Sequence, residues 1–91
     1  MVNNITDQID NLFEELISLL LIESKADHYN SQFLRYVQEK RDFIKQHSNE
    51  TEIKEAVRGI NRYADEFSFN DVSAKKIKSL IESMYDSVNR A

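Results

Sequence analysis

The sequence predicts an all-α fold: an antiparallel up-and-down four-helix bundle, formed by one domain over residues 1–91. Two observations lead to this expectation. The 91 residues include no proline and one glycine, which is too few turn residues for a strand-rich fold or a phosphate-binding loop. The apolar residues recur at three- and four-residue steps, which is the spacing of one face of a helix.

The first two predicted helices cover approximately residues 4–23 and 26–46. The apolar stripe of the first helix comprises Ile5, Ile9, Leu12, Phe13, Leu16, Ile17 and Leu20. The stripe of the second helix comprises Ala26, Tyr29, Phe33, Tyr36, Val37 and Ile44. We expect a turn near Ser24, because one continuous helix over 4–46 would be about 64 Å long, too long for this chain to cover. The run from Leu19 to Ile22 widens the first stripe, either as core or as contact surface.

The third and fourth predicted helices cover approximately residues 50–67 and 71–89, after a polar loop at 47–50. The third stripe comprises Ile53, Ala56, Val57, Ile60, Tyr63, Ala64 and Phe67. Gly59 lies within this helix, and close packing against a neighbouring helix is favoured over a kink or a binding notch. Asn70 is suited to cap the fourth helix, because its side chain can accept a hydrogen bond from a free backbone N–H. The fourth stripe comprises Val72, Ile77, Leu80, Ile81, Met84 and Val88.

The charge of the chain argues against general binding of nucleic acid. Twelve Lys and Arg residues stand against sixteen Asp and Glu residues, for a net charge of -4, whereas nucleic-acid-binding domains usually carry a basic excess. No basic residue precedes Lys25, so the basic start of a secretion signal is lacking. The longest apolar run has four residues, far below the roughly 20 needed for a transmembrane helix. The sequence therefore predicts a cytoplasmic protein without a transmembrane segment.

The residues with chemical potential do not form a pattern typical of an enzyme. The chain has no cysteine, and its two histidines, His28 and His47, should lie at opposite ends of the second helix, too far apart to share a metal. No Glu-x-x-His pair is present, and no nucleophile is paired with a base in a plausible pocket. We expect neither catalysis nor a cofactor, and instead a function in binding another protein.

Two stretches of the second half resemble a known family. The first is Gly59-Ile60-Asn61-Arg62-Tyr63-Ala64, and the second runs over 69–80, with the sequence FNDVSAKKIKSL. They resemble the immunity proteins of pediocin-like (class IIa) bacteriocins, specifically the enterocin A immunity group. That family similarly has an Asn-Arg pair late in its third helix, a Phe before a polar cap, and a fourth helix with regularly spaced Leu and Ile.

This resemblance implies a cytosolic bundle that protects its producer from a secreted bacteriocin. It implies action at the inner face of the membrane, on a complex of the bacteriocin with the mannose phosphotransferase permease, and recognition by the C-terminal half. The candidate partner-binding residues on that analogy are Arg58, Arg62, Lys75, Lys76, Lys78 and Arg90. The residues leave an alternative open, a helical adaptor or regulatory protein of an antitoxin-like or phage-encoded kind.

Overall fold

The described residues form four α-helices, as predicted. The computed structural model describes the backbone of residues 4–46 and 49–90, and the side chains of residues 8–46 and 49–89. The elements are α1 (Asn4–Ala26), a short 3-10 turn (His28–Asn30), α2 (Ser31–Gln46), α3 (Glu50–Ala64) and α4 (Asp71–Arg90). No strand occurs in these ranges, which confirms the all-α fold class.

The helices are arranged as a ring in the order of the chain. α1 packs on α2 and α4, and α3 packs on the same two helices, so each helix has two neighbours. Short connections make sequential helices antiparallel, which gives the up-and-down bundle. The bundle measures 39 × 21 × 20 Å, one helix long and two helices wide.

The break between α1 and α2 lies at Asp27, three residues beyond the predicted turn at Ser24. Asp27 has extended backbone angles (φ −141°, ψ 109°), and its carboxylate accepts a hydrogen bond of 3.0 Å from the backbone N–H of Tyr29. The two helices are therefore separate. Ala26 belongs to α1 and is exposed, and Tyr29 is 51% exposed. Their placement in the second stripe was wrong, because the break at Asp27 changes the phase of the helix.

The third helix ends earlier than predicted, at Ala64 rather than Phe67. The next residues turn with hydrogen bonds across three positions, from Glu66 N–H to the oxygen of Tyr63 (3.0 Å) and from Phe67 N–H to that of Ala64 (3.2 Å). This tightened turn returns Phe67 to the core, where it is buried although it is not helical. The fourth helix ends at Arg90, one residue past the prediction.

The first turns of α3 and α4 are each capped by an asparagine. Asn70 accepts a hydrogen bond of 3.0 Å from the backbone N–H of Ser73, which confirms it as the cap of α4. Asn49 caps α3 by accepting from the N–H of Thr51 at 2.8 Å, a role that was not predicted. Residues 47 and 48 of the predicted polar loop lie outside the described residues.

The predicted stripes meet in one apolar core. Its most buried large side chains are Ile9, Phe13, Leu16, Leu20, Phe33, Val37, Val57, Ile60, Ile77, Ile81, Met84 and Val88. Each such side chain contributes about 1.5–3 kcal/mol through removal of apolar surface from water. Val72 was predicted to belong to this core, but it is 80% exposed. Ile5 lies outside the described side chains.

Gly59 of α3 lies against the side chain of Tyr36 of α2. A Cβ atom built on Gly59 would lie 2.6 Å from the hydroxyl oxygen of Tyr36 and 3.8 Å from its Cζ. The ring of Tyr36 cannot easily retreat, because it packs against the ring of Tyr63 with centroids 4.7 Å apart. This agrees with the expected close packing of Gly59 against a neighbouring helix.

We expect the effect of Gly59→Ala to depend on the Tyr36 hydroxyl. In a Tyr36→Phe background, Gly59→Ala should raise the free energy of unfolding by about 1 kcal/mol, the difference in helix propensity. In the wild-type background the clash with the hydroxyl should abolish that gain. Urea unfolding of the four proteins of this double-mutant cycle measures the coupling. Equal stabilisation in both backgrounds would contradict the proposed contact.

A pair of acidic residues on α1 is bound by one arginine of α2. Arg41 donates from Nε to Asp10 Oδ1 (2.9 Å), and from Nη2 to Asp10 Oδ2 (3.3 Å) and Glu14 Oε2 (3.1 Å). The hydrogen bond from Arg41 holds the pKa of Asp10 below its ordinary value. The positive charges of Arg41 and Lys45 also lower this pKa, whereas desolvation of the carboxylate raises it. The ion pair joins the outer edges of α1 and α2.

Because Asp10 is paired with Arg41, the free energy of unfolding should decrease as the pH falls below about 4. The contribution of Asp10 is complete above the unfolded-state pKa near 4 and is lost as the pH falls through the lower folded-state pKa. Arg41→Gln should raise the pKa of Asp10, as measured by NMR titration of its carboxyl carbon, and should flatten this acid dependence. Arg35→Gln, which changes an exposed arginine on the same helix, serves as the control. An unchanged pKa of Asp10 in Arg41→Gln would refute this account.

Candidate partner-binding surface

The two candidate arginines share the outer face of α3. Arg58 and Arg62 are both exposed, one helical turn apart, and residues four positions apart lie on the same side of a helix. The opposite side carries the buried Val57 and Ile60. Arg58 and Arg62 thus form a cationic pair that points away from the core.

The three candidate lysines are exposed on the first half of α4 but do not form one cluster. Successive helical residues are rotated by about 100°, so Lys76 and Lys78 point roughly 200° apart. Lys75 and Lys76 border a surface depression that also includes Val72. Lys78 lies on the other flank of the helix. Arg90 is the last residue of α4, and its side chain lies outside the described residues.

The candidate cations therefore face several directions. Arg58 and Arg62 share one face of α3, Lys76 lies on the side of α4 next to α1, Lys78 lies on the opposite side, and Lys75 projects between these two lysines. A partner that engages all of them would have to wrap around the α3–α4 half of the bundle. A flat partner would meet only one pair.

A buried carboxylate supports the start of α4. Glu23, near the end of α1, is only 3% exposed. Its Oε1 accepts a hydrogen bond of 3.3 Å from the backbone N–H of Asn70, and its Oε2 accepts one of 3.0 Å from Asn70 Nδ2. Because Asn70 also caps α4 through Ser73, one side chain links the end of α1 to the first turn of α4.

A second polar link and a group of aromatic rings fix the connection between α3 and α4. Asn30 is buried, and its Nδ2 donates a hydrogen bond of 3.3 Å to the carbonyl oxygen of Ser68. The ring of Phe33 packs on Phe67 (centroids 5.2 Å apart) and on Phe69 (6.1 Å). The two stretches that carry the family resemblance, 59–64 and 69–80, are therefore held on either side of a firmly packed turn.

These supporting residues were missed at the sequence level, although a signal was present. Glu23 continues the stripe of Leu16 and Leu20 at the spacing expected of a core position. Asn30 precedes Phe33 and Val37 at the same spacing. A polar residue in register with an apolar stripe indicates a buried hydrogen-bonding partner, because burial without one is costly.

A groove runs along the seam between α1 and α4. It is lined by Glu14, Glu15, Ser18, Leu19, Ile22 and Lys76. We call it the α1–α4 groove. Ile22 is 62% exposed at its border, and Val72 extends the apolar surface on the α4 side through the depression that shares Lys76. The run 19–22 is thus divided, since Leu20 is core, Leu19 is half-buried, and Leu21 and Ile22 are exposed.

The described residues contain no group of three or more His, Cys, Asp or Glu side chains arranged to hold a metal ion. Within the same part of the chain, no helix has the length and apolar character needed to cross a membrane. No protein-family model, curated protein or solved structure matches the sequence or fold of this chain.

The bond between Glu23 and Asn70 should be important for the stability of the fold. Glu23→Gln replaces one acceptor oxygen by an amide donor that faces the donors of Asn70, so we expect the free energy of unfolding to fall by about 1–3 kcal/mol. Glu15→Gln, an exposed change on the same helix, should shift it by no more than about 0.5 kcal/mol. Chemical denaturation measures both. Equal stability of the two variants would contradict a stabilising role for the hydrogen bonds between Glu23 and Asn70.

Proposed function

We propose that this protein is an immunity protein against a class IIa-type bacteriocin, acting in the cytoplasm at the inner face of the membrane. The observation that supports the proposal is the resemblance of 59–64 and 69–80 to the enterocin A immunity group. In the structure these stretches form the end of α3 and the start of α4, and they lie on an antiparallel four-helix bundle, the architecture that the resemblance implies.

The exposed cations of α3 supply the recognition chemistry in this proposal. Arg58 and Arg62 present two planar guanidinium groups on one face, and guanidinium binds carboxylates through two parallel hydrogen bonds. We propose that this pair binds an acidic surface on the complex of bacteriocin and mannose phosphotransferase permease. Lys75 and Lys78 on α4 would add attraction at longer range.

The packing of the turn between α3 and α4 fits a recognition role. Glu23, Asn30 and the ring of Phe33 fix the connection at 65–70 from the side of α1 and α2. A surface whose backbone is held before binding loses less conformational freedom when the partner arrives. Arg62 lies in the last turn of α3, next to this supported connection.

The proposal predicts protection of living cells. Expression of the chain inside a strain sensitive to class IIa bacteriocins should raise the concentration of at least one such bacteriocin needed to inhibit growth. Arg58→Glu combined with Arg62→Glu should abolish protection, because each reversal places a carboxylate against the acidic surface. Lys25→Glu combined with Arg35→Glu makes the same change in charge at exposed positions on α1 and α2 and should leave protection intact.

A second readout tests the proposed partner. Affinity-tagged protein should retain the permease from detergent-solubilised membranes when the bacteriocin is present, and much less when it is omitted. The Arg58/Arg62 variant should lose this retention while keeping the helical circular dichroism of the wild type. Lack of protection against every member of a broad bacteriocin panel, with the protein well expressed, would refute the proposed function.

A further inference from the structure

The α1–α4 groove combines an apolar centre with two edges of opposite charge. The centre consists of Leu19, Ile22 and Val72, which are half-buried or exposed. The α1 edge carries Glu14 and Glu15, and the α4 edge carries Lys75 and Lys76, with Asp71, the first residue of α4, beside them. Scattered single apolar residues are normal on a surface, whereas a patch bordered by charged residues marks an interaction site.

The charges at the two edges are available to a partner in different degrees. Glu14 is already bound by Arg41 of α2. Glu15 and Lys76 are both exposed, and neither forms an ion pair with another described residue. Glu15 on α1 and Lys76 on α4 are therefore the unpaired charges that line the groove itself, while Lys75 and Asp71 border the adjoining depression.

We propose that the α1–α4 groove is a homodimer interface and that its occupant is the same groove of a second copy of this chain. A two-fold axis parallel to the helices brings α1 of one copy opposite α4 of the other. The acidic edge then meets the basic edge twice, with Glu15 facing Lys76 of the second copy on both sides. The apolar centres, Ile22 and Val72 above all, cover each other between these pairs.

The charge pattern favours a second copy over an anionic lipid surface. Lys75 and Lys76 would be attracted to acidic headgroups, but Glu14, Glu15 and Asp71 border the same surface and would be repelled. With Glu14 already paired with Arg41, the two carboxylates of Glu15 and Asp71 balance the two ammonium groups and leave no net attraction to an anionic membrane. A surface with Glu15 on one edge and Lys76 on the other is instead complementary to its own rotated copy.

The small apolar centre predicts a weak dimer. Interfaces of stable complexes bury about 1,600 Å² in total, and smaller ones belong to transient complexes.

Sedimentation velocity over a wide concentration series should show a reversible shift from monomer to dimer. Ile22→Ser should remove the shift without unfolding the chain, since Ile22 is largely exposed. Leu21→Ser is the matched control, because Leu21 is also exposed, at 45%, but lies on the flank of α1 that faces α2.

A charge-swap experiment tests the geometry. Glu15→Lys alone sets two lysines against each other across the two-fold axis, and Lys76→Glu alone sets two carboxylates against each other. Each variant should raise the dissociation constant of its own homodimer by about tenfold or more. A one-to-one mixture of the two variants should recover the dimer, because each lysine then faces a glutamate. Glu39→Lys and Arg35→Glu, exposed on α2, should dimerise like the wild type.

The outcomes separate this proposal from its competitors and from the proposed function. A wild-type chain that stays monomeric throughout the series overturns the dimer, as does a variant mixture that stays monomeric. Binding of the monomer to vesicles of anionic lipid through Ile22 also overturns it and assigns the groove to a membrane. None of these variants alters Arg58 or Arg62, so the bacteriocin challenge succeeds or fails independently of this test.

Discussion

The arrangement of the bundle depends on the hydrogen bonds that Glu23 accepts from Asn70. A buried carboxylate is tolerated only when its oxygens are satisfied, and here each oxygen accepts from the same asparagine. The link sets how far α1 slides along α4, because it joins the last turns of one helix to the cap of the other. The α1–α4 groove begins within one turn of this link, at Ile22, so its two edges owe their alignment to it.

Between α2 and α3, on the opposite side of the bundle, packing depends on side-chain size rather than on charge. The hydroxyl of Tyr36 on α2 can lie against α3 because Gly59 has no side chain at that position. Together the polar link on one side and the close aromatic contact on the other hold the α3–α4 half in place. The arginines and lysines proposed for recognition thus project from a backbone that is fixed at both seams.

Much of this fold was predictable because long helices impose a regular spacing on apolar residues. The stripes of α1 and α3 were placed well, since Leu16 and Leu20 or Val57 and Ile60 follow that spacing without interruption. The errors lie at breaks in phase. Tyr29 was assigned to a helix that had not yet begun, and Val72 was joined to Ile77 across five positions, a step that turns away from the core.

The candidate surface was less predictable than the fold. Exposure of Arg58 and Arg62 followed from the stripe of α3, but the separation of Lys76 from Lys78 required their positions around α4 to be considered. The pairing of Glu23 with Asn70 depends on two residues 47 positions apart, and no local pattern connects them. The α1–α4 groove likewise arises from two helices at opposite ends of the chain.

That same separation has a kinetic consequence. The contact between Glu23 and Asn70 closes a loop that contains all of α2 and α3, and closing a longer loop costs more chain entropy. We expect sequential helices to pair first and α1 to dock on α4 late. The hydrogen bonds between Glu23 and Asn70 would then affect the rate of unfolding more than the rate of folding.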